Sequence, residues 1–176
     1  SRDQNYEIHD ITDFKIVECL LENRIHQGIQ TCDIYNKLRN IKLLIMDVDG
    51  VLTDAGMYYS ENGDEQKKFN TRDGKGIEIL KKHNIKSAII TSEDTEIVRR
   101  RAKKLKIDFL FQGIEDKSKI IKKLSEKTGF SFEEIAFIGD DINDLSALKI
   151  VGIPISVLDG SLENKKIAKL VVPLNG

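Results

Sequence analysis

The chain has 176 residues, 40% hydrophobic and 32% charged, the make-up of one ordinary globular domain. Lysine and arginine total 28 against 29 aspartates and glutamates, and a net charge of -1 gives no global attraction to nucleic acid or anionic lipid. With two cysteines, Cys19 and Cys32, and no apolar run near the ~20 residues that span a bilayer, a disulfide scaffold and a membrane protein are excluded and a cytoplasmic setting is expected.

Residues 1–40 read as a helical appendage. Asp13–Leu21 has an amphipathic pattern with Thr12 as its N-cap, yet it stands outside the pattern that follows. From Ile41 to Gly176 short apolar runs alternate with amphipathic stretches, which predicts one α/β domain, a Rossmann-like parallel sheet sandwiched by helices. The predicted strands are Lys42–Met46, Ser87–Ile90, Phe109–Phe111, Ile135–Ile138, Gly152–Ser156 and Leu170–Val172. Helices are expected to begin near Gly74, Glu93, Asp116, Asn143 and Leu162. Between the first strand and first helix, Met57–Ser60 and Gln66–Phe69 flank Glu61-Asn62-Gly63-Asp64. Asn-Gly is a hairpin turn signal, so a β-hairpin flap is expected over the carboxyl end of the first strand.

Four features fall at predicted strand carboxyl ends, where open α/β sheets bind ligands: Asp47-Val48-Asp49-Gly50, Thr91, Lys117 and Gly139-Asp140-Asp141-Ile142-Asn143-Asp144. Converging carboxylates repel one another unless a cation joins them. An all-oxygen donor set suits a hard cation, and Mg²⁺ fits best. The chemistry that needs this set is phosphoryl transfer through an aspartyl-phosphate. Asp47 is placed as nucleophile, Asp49 as general acid and then base, and a hydroxyl and an ammonium hold the phosphate oxygens. An EF-hand loop from Asp47 fails because Val51 and Leu52 occupy its fifth and sixth positions, and no G-x-x-x-x-G-K-[ST] run exists. A phosphoacceptor signalling domain gathers its acidic pair first and has no late acidic cluster like Gly139–Asp144.

Asp47-Val48-Asp49-Gly50-Val51-Leu52-Thr53-Asp54, Thr91, Lys117 and Gly139-Asp140-Asp141 resemble the four motifs of the haloacid dehalogenase superfamily of phosphatases. Phe69-Asn70-Thr71-Arg72-Asp73-Gly74, Phe111-Gln112-Gly113 and Asp116-Lys117 resemble its small-cap branch, typified by phosphatases of 3-deoxy-D-manno-octulosonate 8-phosphate. The resemblance implies no large cap domain and a homotetramer in which flaps and neighbouring subunits complete each active site. It implies Asp47, Asp49 and Lys117 as catalytic residues, and Thr91 and Ser92 with Lys117 as the phosphate site. Asp47, Asp140 and the backbone carbonyl of Asp49 would be the Mg²⁺ ligands, with Asp141 and Asp144 behind them.

One departure bears on substrate. The eight-carbon branch usually follows its motif threonine with Gly-Arg, whereas this chain has Thr91-Ser92-Glu93. Glu93 and the run to Ala102 are similar to relatives acting on nine-carbon 2-keto-3-deoxy sugar acid 9-phosphates, where positions matching Glu93, Arg101 and Lys104 recognise substrate; Arg72 is a further substrate-facing cation. The nine-carbon acid is therefore expected ahead of the eight-carbon acid. Tyr6–Glu18 resembles the end of a sugar-acid cytidylyltransferase, which implies a phosphatase fused to such a domain, and also an alternative in which the domain only assembles tetramers. Relatives continue into a Gly-Gly tail with an arginine; this sequence stops at Asn175-Gly176, so incomplete substrate closure is expected.

Overall fold

The computed structural model describes residues 34, 37–63 and 65–173. The expected helix over Asp13–Leu21 lies outside them. Six strands form one parallel sheet: β1 (Leu43–Met46), β4 (Lys86–Ile90), β5 (Phe109–Phe111), β6 (Ile135–Gly139), β7 (Ile153–Val157) and β8 (Leu170–Val172). Their order is β5-β4-β1-β6-β7-β8, and every ladder among them is parallel. The chain leaves central β1 to build one side through β4 and β5, then returns to its other edge with β6. Strand order reverses there, and a crevice opens at the carboxyl ends of β4, β1 and β6.

The apolar runs form these strands because both sheet faces are covered. All four residues of β1 and all five of β6 and β7 are buried. Side chains alternate across β1: Leu44 and Met46 join Ile77 of α1 (Thr71–Lys82) and Val98 and Ala102 of α2 (Glu96–Leu105) in one core layer. Leu43 and Ile45 join Ile121 and Leu124 of α3 (Lys117–Thr128) and Ala147 and Leu148 of α4 (Leu145–Leu148) in the other. The last helix, α5 (Leu162–Ile167), is capped by Ser161, whose Oγ accepts from the Asn164 amide at 3.2 Å.

Two helices start away from the expected points because cap residues set them. Asn70 accepts from the Arg72 amide at 3.0 Å, so α1 begins at Thr71 rather than near Gly74. Thr95 accepts from the Val98 amide at 3.4 Å, so α2 begins at Glu96 rather than at Glu93. This leaves Ser92 and Glu93 in a loop at the crevice.

The hairpin flap is present, with β2 (Thr53–Tyr59) antiparallel to β3 (Glu65–Phe69). Its turn closes where Asn-Gly predicts, with Gly63 at φ 84° and its amide donating to the Ser60 carbonyl at 3.0 Å. β2 starts four residues before the predicted Met57, because Thr53 already pairs with Phe69, beyond an irregularity in register before Met57. The flap thus springs directly from the loop that follows Asp49.

Candidate active site

The β1 backbone carries Asp47 to the crevice floor, where its amide donates to the Ile138 carbonyl of β6 at 3.0 Å. Lys117, the first residue of α3, has a fully buried side chain. Its Nζ lies 2.9 Å from Asp47 Oδ2 and 2.6 Å from Asp144 Oδ1. Asp116 aims the helix start, its Oδ1 accepting from the Ser118 amide at 3.1 Å. The second Asp144 oxygen accepts from the amides of Asp140 at 3.0 Å and Asp141 at 3.4 Å.

Asp144 therefore fixes both the lysine and the loop that bears Asp140. The sequence suggests its nearness to the metal site; its tie to Lys117 follows only from packing. Gly139 allows this approach, since a Cβ there would overlap the Asp144 carboxylate, and one at Gly50, where φ is +81°, would overlap that of Asp140.

Oxygens of Asp47, Asp140 and Asp144 all lie within 4.8 Å of one another. Three carboxylates against the single Lys117 ammonium leave two negative charges, which a divalent cation would balance. The donor set fits such an ion. Asp144 has both oxygens committed, whereas Asp140 Oδ1 is buried with no hydrogen-bond partner. Asp47 and Asp140 thus have the free ligand capacity, and their hard oxygens suit Mg²⁺.

Burial, opposed by Lys117 and reinforced by Asp144, raises the Asp47 carboxyl to about 6. Burial, with Asp47, Asp144 and Asp141 nearby, raises that of Asp140 to about 7. Burial alone would lower Lys117, but its two carboxylate partners outweigh it and hold the ammonium above the ordinary lysine range.

The sign of the resulting pH dependence is fixed. Both acids are raised above their unfolded value of 3.8, so their contribution to stability is present at low pH and lost as pH rises through about 6 and 7. In EDTA the melting midpoint is expected to fall between about pH 5 and pH 8, and Mg²⁺ is expected to raise it more at pH 8. Thermal scans check this; a midpoint that rises over that window without metal would contradict it.

Asp49 and Glu93 meet at the crevice mouth through a residue that sequence reasoning misses. Lys67 of β3 places its Nζ 2.7 and 2.6 Å from the two Asp49 oxygens and 2.5 Å from Glu93 Oε2, with no side-chain exposure. Burial disfavours its charge, but the two carboxylates more than offset this and its pKa is raised. Strand alternation contains the signal, because Lys67 shares a flap face with Phe69, which packs against the core.

Thr91, just past β4, is buried, and its Oγ1 accepts from the Glu93 amide at 3.3 Å; Ser92 is exposed beside it. Arg101 lies at the flap base, where it donates to the Asn70 carbonyl at 2.6 Å and sits 5.2 Å from the Phe69 ring centroid. Arg72 and Lys104 are exposed. Among the described residues, the structure brings Asp47, Lys117, Asp140 and Asp144 into one cluster and Asp49, Lys67 and Glu93 into a second. Neither includes a hydrogen bond or ion pair from the side chains of Arg72, Arg101 or Lys104.

Known proteins are similar to this chain in sequence and fold. Residues 63–152 match the haloacid dehalogenase-like hydrolase family. The 3-deoxy-D-manno-octulosonate 8-phosphate phosphatase KdsC of Escherichia coli K12 is 40% identical over 132 residues, covering 75% of this chain and 70% of that protein. The crystal structure of 3-deoxy-D-manno-octulosonate 8-phosphate phosphatase from Moraxella catarrhalis, in complex with magnesium ion, phosphate ion and KDO, superposes with a TM-score of 0.80. It is 39% identical, with 82% of this chain and 83% of that one covered. The cobalt-bound deoxy-D-mannose-octulosonate 8-phosphate phosphatase of Haemophilus influenzae gives 0.76 at 38% identity, with 80% and 82% covered.

Proposed function

The chain belongs to the haloacid dehalogenase-like hydrolases, and on that premise we propose that it is a Mg²⁺-dependent phosphatase of a 2-keto-3-deoxy sugar acid phosphate. The observation that carries this reading is the buried Asp47–Lys117–Asp144 chain beside an Asp140 oxygen with no partner. The side chains of Asp47 and Asp140 and the backbone carbonyl of Asp49 would hold Mg²⁺, which when bound neutralises phosphate charge.

Asp47 attacks phosphorus, forming its acyl-phosphate bond as the P–O ester bond breaks, and Asp49 gives its proton to the departing alkoxide. Water then adds to phosphorus while Asp49 takes back a proton, and the bond to Asp47 breaks to release inorganic phosphate. Thr91, Ser92 and Lys117 hold the phosphate oxygens, and Lys117 also fixes the nucleophile at 2.9 Å.

The named relatives act on the eight-carbon 8-phosphate, which supports that acid as substrate. One observation favours the nine-carbon 9-phosphate: Glu93 stands at the mouth with Lys67, where a carboxylate suits a longer polyhydroxyl chain. Steady-state kinetics with both esters and Mg²⁺ separate the two, and Glu93→Arg is expected to move the kcat/KM ratio at least about tenfold toward the eight-carbon ester, the scale of one charged contact. An unchanged ratio would remove the case for the longer acid. Turnover of neither ester by a folded tetramer would favour the assembly-only alternative.

The reading includes a homotetramer, a cytidylyltransferase domain on the amino-terminal side and a cytoplasmic setting. Exposed Tyr58 and Tyr59 on the flap and Ile142, Leu158 and Leu162 beyond β6 and β7 supply apolar surface on the crevice side for neighbouring subunits. Lys104, outward on α2, would act in such a neighbour. No helix among the described residues is long and apolar enough to cross a membrane.

A further inference from the structure

The two carboxylates assigned to bond making and proton transfer are held in different ways. Asp47 is fixed from the core by Lys117, which is itself anchored by Asp144. The Asp49 carboxylate has its side-chain bonds from the flap: Lys67 of β3 to both oxygens, and Thr53 of β2 through Oγ1 at 3.3 Å. Asp49 comes from the loop after β1 and Glu93 from the loop after β4, and the single ammonium between them neutralises carboxylates that would otherwise repel.

We propose that Lys67 is a positioning residue that makes the orientation of Asp49 depend on the closed flap, with Glu93 as its second anchor. This rests on the phosphatase reading and extends it. With a substrate bound, the leaving oxygen takes one Asp49 oxygen, and Lys67 keeps the other together with Glu93. The nucleophile is then ready whether the flap is open or closed, while the acid is aligned only when the flap is shut. An ester with a poor leaving group, which requires that acid, becomes dependent on Lys67; one whose leaving group departs as a stable anion does so far less.

The test compares Lys67→Met and Lys67→Arg on two esters with Mg²⁺. These are 3-deoxy-D-manno-octulosonate 8-phosphate, whose alkoxide needs a proton, and p-nitrophenyl phosphate, whose phenolate does not. For Lys67→Met, the single-turnover rate of ester cleavage, which precedes the water step that both esters share, is expected to fall at least about 30-fold on the sugar ester, part of the roughly 10²–10⁴-fold that acid–base catalysis contributes, and less than about 5-fold on the aryl ester, with the melting transition intact. Lys67→Arg is expected to recover most of the loss. In an Asp49→Asn background, Lys67→Met is expected to cost less than about 3-fold more, because its route of action is already gone. Equal losses of the cleavage rate on both esters, or the full Lys67→Met loss persisting beside Asp49→Asn, would overturn this role and leave the phosphatase standing. An unsubstituted chain that turned over neither ester would overturn both.

Discussion

Asp47→Asn is expected to lower turnover by at least about 10⁴-fold while leaving the folding transition in place, as removal of a covalent nucleophile does elsewhere. The amide has the shape of the carboxylate, so the packing around it is kept. Its oxygen still accepts from Lys117, and Lys117 keeps its 2.6 Å contact with Asp144. What the proposed mechanism loses is the anionic oxygen that attacks phosphorus and a ligand for the cation. Because burial already raises the Asp47 carboxyl to about 6, removing its charge relieves a cost in the metal-free protein. The melting midpoint in EDTA at pH 8 should therefore hold or rise, while the gain on adding Mg²⁺ shrinks. Steady-state rates and thermal scans read both effects, and turnover near that of the unsubstituted chain would contradict a covalent role for Asp47.

Lys117→Met is expected to have the larger effect on folding. It leaves the Asp47 and Asp144 carboxylates buried without their shared counter-charge, beside Asp140. Breaking one partner out of a buried ion pair costs about 3–5 kcal/mol, which for a domain of this size lowers the melting midpoint by roughly 6–20 °C. The loss should be greater at pH 8 than at pH 5, because the abandoned carboxylates can take up protons at the lower value. Turnover should disappear with it, since in the proposed mechanism the ammonium that contacts Asp47 at 2.9 Å also holds the phosphate. A midpoint lowered by less than about 2 °C at pH 8 would contradict this account of Lys117.

The parts of this site that the sequence makes legible are those written in strand ends. Leu43–Met46 and Ile135–Gly139 are unbroken apolar runs because both sheet faces are covered, so Asp47 and Asp140, each the next residue, are marked by where the runs stop. Thr91, the residue after β4, follows by the same logic, whereas Lys117 opens α3 six residues beyond the end of β5. Helix starts are less legible, because Asn70 and Thr95 act through single cap bonds that compete with the apolar period. Lys67 is least legible. It lies between Gln66 and Lys68 in a segment that reads as solvent-facing, and its carboxylate partners are 18 and 26 residues away in the chain. Asp144 shows a related limit: its place near a helix start suggests a cap, and its bond to Lys117 spans 27 residues.

Flap and core thus divide the work. In the proposed mechanism the core fixes the nucleophile Asp47, its lysine and a cation site, and the flap, through Lys67, orients Asp49 of the β1 loop and holds Glu93 of the β4 loop at the rim. The most direct test of this account is acid quenching of the unsubstituted protein during turnover of a sugar acid phosphate with Mg²⁺, followed by peptide mass analysis. The account predicts one added phosphoryl group on the peptide that contains Asp47, absent from Asp47→Asn. Turnover with no such adduct, or the adduct on another residue, would contradict it.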